Sequence, residues 1–96
     1  MGTFIALLDF TDQGIRNVGD STYRADQFKE MASRRGATIV AQYWTTGSHD
    51  GVLIMEAPSD EVAASLLIAL AAEGNVRTTT LRAFEWAEAK ELISER

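Results

Sequence analysis

The chain has 96 residues, 46% hydrophobic and 24% charged, with a formal net charge of -5 and no cysteine. That length fits one domain, residues 1–96, burying roughly 60–70% of its unfolded surface without disulfides or a structural metal. Lack of cysteine excludes thiol nucleophiles, cysteine-ligated zinc and Fe–S clusters, and a pI near 4.7 with only nine Lys and Arg argues against binding nucleic acid through its phosphates.

Residues 3–10, Thr-Phe-Ile-Ala-Leu-Leu-Asp-Phe, form an apolar run closed by a polar cluster, which predicts a first strand buried on both faces. Residues 11–20 are polar, with Gly14 and Gly19 as breakers, and predict a loop. Asp20 or Ser21 can then cap a helix running to about Arg35, with Ala25, Phe28, Met31 and Ala32 at helical spacing and Gly36 as its stop. Residues 37–46 and 50–57 are rich in β-branched and aromatic side chains and predict two strands joined as a hairpin through Gly47-Ser48-His49. Ser59 is the expected N-cap of a second long helix, with Asp60 and Glu61 in the first turn, where the macrodipole favours acids, and Gly74 at its end. The body of that helix, Val62 to Ala72, is apolar almost all round and predicts cover on more than one side. Residues 76–84 give a fourth strand, and 85–94 a terminal helix with Trp86, Ala89 and Ile93 along one side.

The order β-α-β-β-α-β, then α, predicts an α+β protein: a ferredoxin-like βαββαβ sandwich with a C-terminal helix, strands in the spatial order 4-1-3-2 and both long helices on one face. Alternation along each strand separates two sets of side chains. The more apolar set, Phe4, Ala6, Leu8, Ile39, Ala41, Tyr43, Leu53, Met55, Leu81 and Ala83, is expected under the helices. The other set, including Ile5, Leu7, Asp9, Val40, Trp44, Val52, Ile54, Glu56, Thr78, Thr80 and Arg82, is mixed yet too apolar for water. Exposing its large apolar members forfeits on the order of 10 kcal/mol gross. A second subunit packing sheet against sheet is therefore expected, giving a homodimer or higher homo-oligomer; a terminal helix swung round over the face is the alternative.

The start, Met1-Gly2-Thr3-Phe4-Ile5, has no basic region of a targeting signal, and no run approaches the 18 or so apolar residues of a membrane span. A cytoplasmic protein without a membrane partner is the expectation.

The segments Thr11-Asp12-Gln13-Gly14-Ile15-Arg16-Asn17, Tyr43-Trp44-Thr45-Thr46-Gly47-Ser48-His49-Asp50, Glu56-Ala57-Pro58 and Gly74-Asn75-Val76-Arg77-Thr78-Thr79-Thr80-Leu81-Arg82-Ala83-Phe84 resemble those of the GYD-domain family of small bacterial proteins, in the same order over nearly the whole chain. The resemblance implies a dimeric α+β barrel, in which two ferredoxin-like sheets pack together, and a family of unestablished function. The wider superfamily it implies includes cofactor-independent monooxygenases, lactone isomerases, haem-dependent enzymes and ligand-sensing domains, so the fold supports several functions equally. His49 stands where the family signature has Tyr before its Asp.

Two polar clusters are candidates for chemistry. Trp44, His49, Asp50 and Arg82 are expected near one end of the mixed face, with about 10 Å between the backbones of the Asp50 and Arg82 strands. They offer an indole surface, an imidazole and carboxylate for proton transfer, and a guanidinium for an anionic ligand. His49 and Asp50 are the catalytic candidates, and Trp44 and Arg82, with Asp9, Glu56 and Arg16 of a second cluster, the ligand-binding ones; an Asp that caps its own turn, a Trp at a dimer seam and a solvated loop His are the structural alternatives. Asp9 and Glu56, read as neighbours on parallel strands with Arg16 in reach, form the second cluster, either a coupled acid pair or a salt bridge to Arg16 or Arg77. One histidine and scattered carboxylates give no metal-ligand spacing, and no phosphate loop or nucleophile elbow is present, so no cofactor is expected. Two functions compete on this reading. One is a homodimeric barrel binding a small apolar or aromatic carboxylate, with cofactor-independent catalysis as an extension, and the other a non-catalytic oligomeric assembly or scaffold protein.

Overall fold

A computed structural model describes residues 1–94; residues 95 and 96 of the expected domain lie outside them. The elements are β1 (Gly2–Phe10), α1 (Asp12–Arg16), a 3-10 turn (Val18–Asp20), α2 (Ser21–Arg34), β2 (Thr38–Trp44), β3 (Gly51–Ala57), α3 (Asp60–Ala72), β4 (Val76–Ala83) and α4 (Trp86–Ser94). The strands form one antiparallel sheet in the order β2-β3-β1-β4, the expected ferredoxin-like arrangement. The core lies between this sheet and the helices: Phe4, Ala6 and Leu8 of β1 and Leu53 and Met55 of β3 meet Phe28 and Ala32 of α2 and Leu66 and Leu67 of α3.

Of the local signals that bound the helices, the cap expected from Asp20 or Ser21 is not made, since Asp20 stands at the N-cap of α2 without a side-chain hydrogen bond to the helix, and those at Ser59, Gly74 and Gly36 act as expected. Ser59 Oγ accepts the Val62 N–H at 3.1 Å and starts α3. Gly74 at φ 87° and Gly36 at φ 80° follow the two long helices in a left-handed conformation open to glycine. The segment 11–20 is not an open loop. Thr11 Oγ1 accepts the Gly14 N–H at 3.0 Å, capping α1, and the chain then turns directly into α2.

Helix α3 has less cover than its composition predicts. Ala63, Leu66 and Leu67 are buried, but Ile68 is 69% exposed, because the sheet lies along only one side of the helix. Helix α4 does not cover the open face of the sheet. Among the described residues it packs extensively on no other element, and Trp86, Leu92 and Ile93 are all exposed.

On β1 and β3 the expected alternation holds, and on β2 it changes sides. The β2–β3 ladder runs Ile39 opposite Met55, then Ala41 opposite Ile54, so Val40 is an extra residue, a β-bulge on an edge strand. Residues directly opposite one another share a face. Beyond Val40, therefore, Gln42 and Trp44 join Leu53 and Gly51 on the helix side, while Ala41 and Tyr43 join Ile54 and Val52 on the open side. This reverses the expected sides of Ala41, Tyr43 and Trp44. Trp44 stands opposite Gly51.

Strand β4 is reversed along its length. Arg82 lies opposite Phe4, Thr80 opposite Ala6 and Thr78 opposite Leu8, all toward the helices, and Leu81 lies opposite Ile5 on the open side. Thr78 and Thr80 line a groove with Phe4, Ala63 and Leu67, which agrees with that register. Choosing the buried side of β4 by its apolar content fails because apolar residues are used on both faces of this sheet. The open face accordingly carries Ile5, Leu7, Val40, Tyr43, Val52, Ile54 and Leu81, with Val40 54%, Tyr43 58% and Leu81 49% exposed.

Candidate functional site

The end of β1 and the β2–β3 hairpin bring Asp9, His49 and Asp50 together. Asp9 leaves the open side of β1, and both of its carboxylate oxygens lie 3.2 Å from His49 Nδ1. The pair is partly exposed, with the His49 and Asp9 side chains 38% and 40% accessible. A carboxylate held on one imidazole nitrogen orients the ring and leaves Nε2 as the atom able to exchange a proton with a ligand.

Asp50 is adjacent in sequence but acts on the backbone. Its Oδ2 accepts the Phe10 N–H at 2.8 Å, its own N–H donates to the Leu8 carbonyl at 2.8 Å, and its carbonyl accepts the Thr45 N–H at 2.9 Å. One residue thus ties the hairpin to the end of β1 and satisfies an N–H where the ladder stops. The Thr45 hydroxyl donates to the His49 carbonyl at 2.7 Å and fixes the turn that presents His49.

The other expected members lie elsewhere. Trp44 is on the helix side, where its Nε1 donates to Ser21 Oγ at the start of α2 at 3.1 Å. Arg82 is at the far end of the sheet, not beside Asp50. Its guanidinium lies 5.4 Å from the Phe4 ring and 4.5 Å from the Phe84 ring, and Nη1 donates to the carbonyls of Thr3, at 3.3 Å, and Ala83. Asp9 and Glu56 are not neighbours: β1 and β3 are antiparallel, so Glu56 stands opposite Thr3, six residues along β1 from Asp9. At about 3.4 Å per residue they are roughly 20 Å apart, which removes the coupled acid pair. Arg16, in the last turn of α1, forms no ion pair among the described residues, and neither does Arg77, though it stands opposite Asp9. The expected bridge from Asp9 to one of these arginines is replaced by the contact with His49.

Two features were not expected from the sequence. Helix α1 is clamped to the turn between α3 and β4: the Thr11 N–H donates to the Asn75 carbonyl at 3.1 Å, the Thr11 hydroxyl to the Gly74 carbonyl at 2.5 Å, and Gln13 Nε2 to the Glu73 carbonyl and to Asn75 Oδ1, each at 3.0 Å. The second feature is a recess between the helix side of the sheet and helices α2 and α3, with Leu8, Phe28 and Leu70 in its walls and Arg24 on its lining. Arg24 Nη1 donates to the Asn17 carbonyl at 3.0 Å, while Nη2 is buried without a hydrogen-bond partner among the described residues. The one signal for it in the sequence is spacing, since Arg24 precedes the core residue Phe28 by four and shares its helix face.

Among solved structures, the crystal structure of TTHA0845 from Thermus thermophilus superposes with a TM-score of 0.55 at 23% identity, covering 88% of this chain and 95% of that one. That likeness bears on the fold. A Thermus thermophilus protein described as a glutamine synthetase and cystathionine beta-lyase binding protein is 34% identical over 89 residues, which is 92% of this chain and 94% of the relative. The model of the GYD domain matches residues 4–93, the span that contains the α1 clamp, the Asp50 anchor and all but the first residues of the four-stranded sheet. The chain therefore belongs to the GYD domain family.

Proposed function

We propose that this chain is a homodimeric, non-catalytic binding protein of the cytoplasm whose partner is another protein. The observation that carries the dimer is the open face of the sheet, where Ile5, Leu7, Val40, Tyr43, Val52, Ile54 and Leu81 lie with no element of the described residues over them. Covering the remaining exposed area of these seven side chains is worth about 5–10 kcal/mol gross per subunit, at roughly 1.5–3 kcal/mol for each side chain taken fully out of water. A second copy offers the same face, and two such sheets packed together give the dimeric α+β barrel.

The binding role is supported by the relative's description, which refers to glutamine synthetase and cystathionine beta-lyase. It is also supported by α4, whose Trp86, Leu92 and Ile93 remain exposed apart from the sheet face. Size-exclusion chromatography with light scattering tests the dimer, and a monomer at micromolar concentration sinks it. Surface plasmon resonance against purified glutamine synthetase and cystathionine beta-lyase from the same cells tests the partner; saturable binding to either is expected, and binding to neither refutes that half of the reading.

The contact between His49 and Asp9 favours a second reading, in which a small apolar or aromatic carboxylate binds beside the hairpin and His49 moves a proton without a cofactor. Following the resonances of the single histidine by NMR during titration with benzoate tests it. A saturable shift of the imidazole signals supports it, and unmoved signals at millimolar benzoate reject it.

A further inference from the structure

We infer that the groove between α3 and β4 is the docking site for helix α4 of a second copy of this chain. The contact is separate from the open sheet face, and it stands independently of the function proposed above.

The apolar body of α3 needs cover on two sides, and the sheet supplies it on one. The groove lies along the other side, where Ala64, Ile68 and Ala71 are exposed above a floor of Phe4, Ala63 and Leu67. Those exposed positions recur at intervals of four and three, the spacing on which a second helix packs. Helix α4 has the matching half. Trp86, Ala89, Lys90 and Ile93 share one of its sides at the same spacing, with Trp86 and Ile93 exposed, while Leu92 lies off that stripe.

Size, length and charge agree. The groove offers about 310 Å³. At 10–15 Å³ for each water-sized atom that admits roughly 20–30 atoms, and the four side chains on the α4 stripe have about twenty. The nine residues of α4 span about 13 Å, and the groove follows α3 from Asp60 to Ala71, about 17 Å. Lys90 on α4 and Asp60 at the end of the groove are both exposed and opposite in sign, and neither forms an ion pair among the described residues.

The occupant is a second copy because the chain's own α4 is held away. Only Phe84 and Glu85 join β4 to α4. The Arg82 guanidinium lies 4.5 Å from the Phe84 ring and donates to the carbonyls of Thr3 and Ala83. The Glu85 N–H donates to Glu88 Oε1 at 3.0 Å and closes the first turn of α4. Folding α4 back onto its own groove turns the chain at these two residues and breaks those contacts, whereas the α4 of another copy enters without breaking any. One short helix in a groove falls below the roughly 1,200 Å² of a standard interface, so the contact is weak by itself and gains where copies are already paired.

Disulfide trapping tests this, because the chain has no cysteine of its own. Ala64→Cys marks the middle of the groove and Ala89→Cys the middle of the α4 stripe, whichever way the helix lies. The two full-length variants, distinguished by mass, are mixed at high concentration and oxidised, and the products are counted by mass spectrometry. Expected is a 64–89 disulfide between chains in at least fivefold excess over the 64–64 and 89–89 products, falling to the statistical ratio in urea. Ile68→Glu in the groove chain is expected to abolish the excess, and Ile68 is 69% exposed, so the fold is spared. A statistical ratio in the folded proteins overturns the inference, as does unchanged trapping with Ile68→Glu. The double variant Ala64→Cys/Ala89→Cys is expected to link between chains; a disulfide-closed monomer means that α4 covers its own groove and also overturns it. Trapping is expected to persist at high concentration in chains that carry Ile54→Asp, and the open-face dimer is read by light scattering at micromolar concentration, so either proposal can fail alone.

Discussion

Gly14 and Asn75 approach so closely that a Cβ on Gly14 would lie 1.8 Å from the Asn75 carbonyl oxygen. The contact exists because Thr11 and Gln13 of the β1–α1 segment bind the backbone of Glu73, Gly74 and Asn75, drawing α1 down onto the turn after α3. Two pieces of chain some 60 residues apart are thus joined where neither is in the sheet.

Gly14→Ala is the direct probe of that clamp. Neither backbone can give way cheaply, so the substitution is expected to cost about 3 kcal/mol, the upper part of the usual overpacking range. For a chain of this size, Tm falls by roughly 10 °C or more. Thermal denaturation followed by circular dichroism measures it, and a loss below about 2 °C would show that α1 is not held against Asn75.

Asp50 separates a structural role from a catalytic one. Asp50→Ala leaves the Phe10 N–H without its side-chain acceptor, an expected cost of about 1–3 kcal/mol. Asp50→Asn keeps an oxygen in place and is expected to lose clearly less. Urea unfolding of the two variants decides: equal losses contradict the backbone anchor.

Trp44 reports on the bulge at Val40. With Trp44 Nε1 on Ser21 Oγ, Trp44→Phe and Ser21→Ala remove the same hydrogen bond, so each is expected to cost roughly 0.5–1.5 kcal/mol and the double variant less than their sum. A double-mutant cycle by urea unfolding measures the coupling. Additive losses would put Trp44 on the other side of the sheet.

Ile54 lies near the middle of the open face, opposite Ile5 and Ala41. Ile54→Asp sets a charge there, and facing copies would bury it unpaired, a severe cost. The expected outcome is a folded monomer by light scattering, with near-native far-UV circular dichroism. A dimer of unchanged affinity would place the interface on another surface.

What the sequence determined by itself is whatever depends on neighbours within a few residues. The order of elements, the Ser59 cap, the stops at Gly36 and Gly74 and the inward faces of β1 and β3 all follow from local periodicity and backbone chemistry. The excess of apolar residues on a second face was legible in the same way. Only the tertiary structure decided how the strands meet. A single extra residue at Val40 turns Trp44 from the open side to the helices, and the antiparallel pairing of β1 with β3 and β4 sends Glu56 and Arg82 to the end opposite Asp9 and Asp50. The physical reason is the two-residue period of a strand: a one-residue offset in register exchanges its faces, and nothing within the strand itself reveals that offset. The pairing of Asp9 with His49 and the Arg24 nitrogen left without a partner among the described residues are consequences of that register and of the packing of α2, brought about by contacts between residues far apart in the chain.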